Sequence, residues 1–505
     1  MTPKAPTTQQ LARIASGLNL NLSSEQLERF HEMSAAAMDA YGRLDQMAEP
    51  VAPVRFPRTP GWRAKPEENR LGAWYWKTDI TGAPGGPLKG KTVAIKDNVC
   101  VAGVPMMNGS CVLEGYIPEA DATVVSRILD AGGRIMGKAV CGRLCFDLNA
   151  DTGPILNPYN LTRHAGGSSG GSAALVAAGE VDMAIGGDQG GSIRIPASWC
   201  GAYGLKPSYG LVPYTGAFSL DPNLDHLGPM AGSVEDVALL LEVIAGPDGL
   251  DVRQSTNRLS PQAYSKVLTG EVKGLRLGLL EQGFGSERAE KDVDEAVTQA
   301  AHAFERLGSV IGKVSVPWHR EGTAIFGAIG NEGISATILA NSVGTAMDGQ
   351  HALSLIDTFA RGRMARADDL PDQIKYTLLI GHYMREVYHG RFYAKARNMT
   401  RVLRAAYDDA LSKWDLLVMP ATPMKAIAVP GPGNPGNPRA AFAVADNTCQ
   451  FDLTGHPAIS LPCAISEGLP IGMMLVGRLG EDATVLRASH AFARQIYSPP
   501  RPDAQ

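Results

Sequence analysis

The chain has 505 residues, 44% hydrophobic and 19% charged, with a formal net charge of -4. That length exceeds the ~250–300 residues at which a single core usually stops growing, so a large domain with an appendage, or two domains, is expected. Lysines and arginines are scattered rather than clustered, which argues against a nucleic-acid partner, and the longest apolar runs, such as VALLLEVIAG (237–246), fall short of the ~20 residues of a membrane span, so no membrane partner and a cytoplasmic location are expected.

The N-terminal stretch has no continuous apolar segment, and residues 7 to 48 read as helical. Ser23 followed by Gln26 forms a capping-box pattern, and Leu27, Phe30, Ala37, Met38 and Tyr41 fall near one helical stripe. Residues 1–65 are therefore an N-terminal helical extension and linker, and 66–505 the main domain, with about 250–370 as a smaller subdomain. From 50 to 90, Pro and Gly crowd together and predict a long connection rather than a regular element.

An alternation of short apolar strands and helices then begins. TVAIKDNV predicts a strand, DATVVSRILDAGG a helix with Asp121 as N-cap, and GRIMGKAV a second strand. Cys141 and Cys145 follow; with no second Cys or His pair at matching spacing they read as buried thiols, and seven irregularly spaced cysteines form no disulfide framework, so no metal and no cofactor are expected. Further along come the strand DMAIGGD, then GLRLGLLE, a helix over 287–307 with Val293, Ala296, Val297, Ala300, Phe304 and Leu307 on one face, and the strand VIGKVSVP. DLLVMP, AISLPCAI and IGMMLVGR supply the last strands, PGPGNPGNPR reads as a loop, and Asp482 opens a terminal helix. The fold class is α/β: a large mixed, mostly parallel central sheet covered by helices.

Chemistry concentrates in RHAGGSSGGSAALVAAG and GGDQGGSIRIP. GGSSGGS has the composition of a linker, but it flows into a small-residue helix and a buried strand, so its glycines serve close backbone approach instead. Neither loop has the lysine of a phosphate-binding loop or the G-x-G-x-x-G order. A serine hydrolase of the Ser-His-Asp kind finds no base, since His164, His226 and His456 stand in turn-like settings and read as structural. Lys96 interrupts the apolar run of its strand. Burial disfavours the charged form of an amine, which would make it a proton acceptor; the alternative is that it pairs with Asp97 or another carboxylate.

Lys96 in VAIKDNV, then GGSSGGSAALVAAG, then GGDQGGSIRIPASWCG, in that order, resemble the motif blocks of the amidase signature family. The resemblance runs from about residue 65 to the C-terminus through GLKPSYGLVPYTGAF, DHLGPM, DLLVMPATP, DLTGHPAISLPC and GLPIGMMLVGR, and is nearest in form to bacterial amidases of aliphatic and aromatic amides, often associated with nitrile hydratase. It implies Ser192 as nucleophile, Ser168 at a cis Gly167–Ser168 bond as bridging serine, Lys96 as base, and the N–H groups of Gln189, Gly190 and Gly191 as oxyanion hole. By position in matching motifs, Phe146, Leu227 and Phe326 are the candidates for an apolar acyl pocket, while Asp188 and Arg194 organise the turn and Lys206 is structural. The implied partner is a small-molecule amide, and the implied assembly a homodimer. Other readings are a glutaminase component of an amidotransferase, a catalytically inert binding or scaffold protein, and a hydrolase of esters, carbamates or anilides.

Overall fold

The structure, a computed structural model, describes residues 3–256, 259–343, 349–429 and 444–502. Two compact units divide the chain, Met1–Pro53 and Val54–Gln505. The first holds two helices, α1 (Thr8–Gly17) and α2 (Ser24–Asp45), each opened by a capping box, Thr7 with Gln10 and Ser23 with Gln26. The expected helical span is broken after Leu18, where Asn19 turns left-handed with φ 57°, a conformation Asn tolerates better than most residues.

The second unit is built on β1 (Trp74–Thr81), β2 (Thr92–Lys96), β3 (Arg134–Ala139), β4 (Leu156–Asn157), β5 (Asn160–His164), β6 (Met183–Asp188), β7 (Tyr203–Lys206), β8 (His226–Ala231), β9 (Arg276–Leu280), β10 (Val310–Val314), β11 (Leu416–Pro420), β12 (Ala458–Ser466) and β13 (Leu469–Gly477). Eleven of these form one sheet in the order β1-β3-β2-β6-β8-β7-β12-β13-β11-β9-β10, and β4 pairs with β5 alone. The mixed sheet covered by helices matches the expectation, but it is not mostly parallel. Parallel pairing is confined to β3-β2-β6 and β11-β9-β10; from β6 to β11, and at the β1 edge, neighbours are antiparallel. Hydrophobicity of a buried strand does not record direction. The β12–β13 hairpin turns through Glu467 and Gly468, both at positive φ (51° and 75°), and such a tight connection can only return antiparallel.

Edge strand β1 lies inside the Pro- and Gly-rich stretch expected to be irregular. It pairs with β3 along one edge and is bridged at Lys77 by Trp62 on the other, and past Lys77 its burial alternates because successive side chains point to opposite faces of the sheet. Helix α3 (Thr123–Asp130) is capped by Ala122, not Asp121, whose carboxylate instead accepts the Ala102 N–H at 2.9 Å and pairs with Arg58. The helix expected over 287–307 spans Lys291–Ala303 and tightens into a 3₁₀ turn, Phe304–Leu307, with Val293, Val297, Ala300 and Phe304 buried. Asp482 begins the terminal helix but is buried, accepting the N–H and hydroxyl of Ser208 at 2.9 and 2.6 Å. The PGPGNPGNPR segment lies outside the described residues. No helix among the described residues is long and apolar enough to cross a membrane.

Apolar clusters cover both faces of the sheet, so β2 and β6 are buried almost throughout. These two strands run parallel, with Ile95 opposite Ile185, and therefore end together at Lys96 and Asp188. The chain leaving β6 enters α5 (Arg194–Cys200), and α4 (Gly170–Ala177) precedes β6. In parallel sheets the carboxyl ends of strands are the usual place for a ligand, and here two glycine-rich turns meet at that edge.

Candidate active site

Lys96 is fully buried, with Nζ 2.8 Å from Ser168 Oγ and donating to the Gly187 carbonyl at 2.9 Å. Asp97, the next residue, points to the other side and pairs with buried Lys138 at 3.3 Å while accepting the Met107 N–H at 3.1 Å. Adjacent residues of an extended chain alternate sides, so the Lys96–Asp97 pairing does not form and the amine is left to Ser168.

Ser168 follows a cis peptide bond at Gly167 and immediately precedes Ser169, the residue ahead of α4. Ser169 fastens this turn to the next: its hydroxyl donates to Gly187 O at 3.0 Å and its N–H to Ser192 O at 3.1 Å. Gly171, at the start of α4, lets that helix lie close against residues 73 and 140, since a Cβ there would stand 2.6 Å from the carbonyl oxygens of Ala73 and Val140.

The turn carrying Ser192 wraps around Asp188. Its carboxylate accepts the N–H groups of Gly191 (2.5 Å), Ser192 (2.9 Å) and Ile193 (3.0 Å), and Arg194 Nε and Nη2 at 3.0 and 3.1 Å. Burial alone would raise the Asp188 carboxyl, but Arg194 and the Ile193 N–H outweigh it and hold the group well below the usual carboxylate range. Arg194 extends to the Thr448 carbonyl (2.8 Å) and to Asp452 (2.6 Å), which agrees with a turn-organising role for both residues. Gly191 sits at φ +135°, where a Cβ would be 2.2 Å from Thr448 Oγ1.

One expectation for the oxyanion hole changes. The Gly191 N–H is taken by Asp188, because the carboxylate needs donors from inside the turn; the N–H groups of Gln189 and Gly190 have no acceptor among the described residues. Half-buried Ser192 shares with Ser168, Gln189 and Gly190 a cavity of about 70 Å³ whose other lining includes Phe146, Ile195, Leu220, Phe326 and Ile334. Phe146 and Phe326 therefore line this cavity. Leu227 does not: on β8 opposite Gly187, it is 1% exposed and packs into the main core, because its position in the strand directs it away from the turn.

The histidines are held as structural groups. His164 Nδ1 accepts the Gly166 N–H at 2.9 Å, and burial pushes the ring down to about 4. His456 bridges Thr454 and Asp408, and His226 lies beside Lys206, whose amine burial lowers to about 8. Cys141 and Cys145 are buried thiols that both contact Asn108 Oδ1, at 3.3 and 3.2 Å. Residues not singled out from sequence include Ile195, Leu220 and Ile334, which line the cavity, and Thr448, whose hydroxyl donates to the Gly190 carbonyl at 2.6 Å. A buried network behind Gln189 was also not singled out: Gln189 Nε2 donates to Tyr214 OH (2.9 Å) and Asp225 (3.1 Å). Asp225 carried the same signal as Lys96, a charge at the mouth of an apolar strand.

The Amidase family profile matches residues 63–486. An enantioselective amidase of Rhodococcus rhodochrous is 41% identical over 99% of this chain and 98% of its own length. The glutamyl-tRNA(Gln) amidotransferase A-subunit of Methanosarcina mazei is 38% identical over 83% of this chain and 87% of its own. Among solved structures, the corresponding amidotransferase protein of Thermotoga maritima superimposes with a TM-score of 0.71 at 29% identity, covering 84% of this chain and 88% of that one.

Proposed function

The chain belongs to the amidase signature family, and from that premise we propose that it is an amidase converting carboxylic acid amides to carboxylate and ammonia through an acyl-enzyme on Ser192. The observation that carries this reading is the 2.8 Å contact of Lys96 Nζ with Ser168 Oγ, with Ser168 and Ser192 lining one cavity. A hydroxyl both donates and accepts, so Ser168 can take the Ser192 proton while passing its own to Lys96 as the base. Ser192 Oγ then bonds to the amide carbon, and the oxygen that becomes negative meets the Gln189 and Gly190 N–H groups, each such donor being worth about 3–4 kcal/mol. Returning the proton through Ser168 to the nitrogen breaks the C–N bond and frees ammonia. Water, deprotonated along the same path, releases the carboxylate.

The wall of Phe146, Ile195, Leu220, Phe326 and Ile334 favours an apolar aliphatic or aromatic acyl group. The amidotransferase relatives raise a glutaminase reading. Against it, the charged residue lining the cavity among the described residues is Asp147, already paired with Arg143 at 3.0 Å, which leaves no evident partners for the charged ends of glutamine. Esters and anilides would enter the same acyl-enzyme chemistry. The test is ammonia release from propionamide, benzamide, 2-phenylpropionamide and glutamine by wild type beside Ser192→Ala. Release from the apolar amides by wild type alone is expected; equal release by the variant, or release from glutamine only, overturns the reading.

A further inference from the structure

Gln189 contributes a backbone N–H to the proposed oxyanion hole, and its side chain is anchored away from that point. Nε2 donates to Tyr214 OH at 2.9 Å and to Asp225 Oδ1 at 3.1 Å, and the residue is 4% exposed. The direction of these bonds is set by the neighbours. Tyr214 OH spends its proton on the Phe218 carbonyl (3.0 Å) and so can only accept, and Asp225 already receives the Ser219 hydroxyl (2.5 Å) and the Leu220 N–H (3.3 Å). Asn98, two residues past Lys96, donates to the same Tyr214 oxygen at 3.2 Å. Asp225 itself is held from behind by Arg253, which bonds its carbonyl oxygen and pairs with Asp251.

The Gln189 side chain ties the turn to the 214–225 segment through both Tyr214 and Asp225, whereas Gly190 and Gly191, which follow it, have no side chains with which to do so. A backbone donor must stand within a few tenths of an ångström of the developing oxyanion to be effective. We propose that Asp225 is a positioning residue for acyl transfer, holding the Gln189 backbone in place through the Gln189 carboxamide with Tyr214 as second anchor. This rests on the acyl-enzyme reading above. The segment that anchors the turn also supplies Leu220 to the cavity wall, so the same network sets the distance between the acyl pocket and the reacting carbon.

The test is steady-state hydrolysis of a small apolar amide by Asp225→Leu, Gln189→Leu, the double variant and Asp225→Asn, with active sites counted from the acyl-enzyme burst and unfolding followed separately. A misplaced oxyanion donor affects the transition state and not the bound amide, so each leucine variant should lose about 10- to 100-fold in kcat with KM within about twofold. The double variant should fall no more than about threefold below the worse single one, because both break one tether. Asp225→Asn keeps an acceptor for Gln189 and should stay within about threefold of wild type. Should Asp225→Leu fail to fold, Tyr214→Phe removes the other anchor and reads the same tether. Unchanged kcat per active site in Gln189→Leu or Tyr214→Phe, or a double variant showing the product of both losses, overturns the proposal. Activity surviving in Ser192→Ala would instead remove the acyl-enzyme reading, so the two failures are distinct.

Discussion

Lys96 and Asp97, neighbours at the end of β2, face opposite sides of the sheet: Lys96 Nζ lies 2.8 Å from Ser168 Oγ, and Asp97 Oδ1 lies 3.3 Å from Lys138 Nζ. Two lysines of the same sheet, both fully buried, thus have different work. Lys138 pairs with a buried carboxylate, whereas Lys96, among the described residues, bonds a hydroxyl and a carbonyl.

Substitution should separate them. Lys96→Met should leave the unfolding midpoint near that of wild type and lower single-turnover acylation by at least about 10³-fold, the upper range for loss of a general base. Lys138→Met strands Asp97 and should cost about 3–5 kcal/mol in urea unfolding, the usual range for breaking a buried pair, with kcat per folded enzyme nearly preserved. A modest acylation loss in Lys96→Met would mean that another group takes the proton.

The glycine pair invites a second contrast. A Cβ on Gly190 would stand 2.8 Å from Phe326 Cζ, the end of a side chain, whereas one on Gly191 would meet Thr448 Oγ1 at 2.2 Å from a φ of +135°. Gly190→Ala should therefore lower kcat/KM for benzamide, and adding Phe326→Leu should restore part of it. Gly191→Ala should be inactive with or without that second change, since its backbone strain remains. Equal rescue of both would show that the Gly191 conformation is not required.

What the sequence made legible follows from what a one-dimensional pattern can carry. Lys96 stood out because a charge interrupted an apolar run, and the glycine-rich turns because their composition fits close backbone approach better than a linker. Family resemblance then suggested roles for Ser168 and Ser192, and the structure places both on one cavity. Lys138 interrupts its strand in the same way, and only the partner across the sheet separates a salt-bridged lysine from one facing a serine. Leu227 was misplaced because motif position does not say which face of β8 it occupies. The Gly191 N–H was assigned to the oxyanion hole because a turn's internal bond to Asp188 leaves no mark on the order of residues. Strand direction was lost for the same reason in the antiparallel centre of the sheet.

The Asp188–Arg194 pair should show itself in acid. Burial raises Asp188, but Arg194 and the turn N–H groups lower it further, so its folded value lies below its unfolded one. Its stabilisation is then present above the ordinary carboxylate value of ~4 and is lost as pH falls below it. Asp188→Asn, which leaves buried Arg194 with Asp452 alone, should lose about 3–5 kcal/mol at pH 7 and a smaller amount near pH 3. A deficit that does not shrink in acid would mean that the carboxylate's charge is not what holds the turn.

Asp225 has the opposite sign. Burial is the largest influence on it and outweighs the Ser219 hydroxyl and Arg253, pushing the carboxyl up to about 7. The unfolded chain releases this proton near ~4, while the folded protein keeps it until about 7, so between those values rising pH favours the unfolded state. The stability contribution is whole below pH ~4 and lost as pH rises through 7. Asp225→Asn cannot ionise yet still accepts from Gln189, so it should escape this loss. In urea unfolding, its stability relative to wild type should climb from pH 5 to pH 8.5 by on the order of 1–3 kcal/mol, other titrating groups being common to both proteins. A pH-independent difference would show that Asp225 is ionised in the folded protein across that range, as an ordinary surface carboxylate would be.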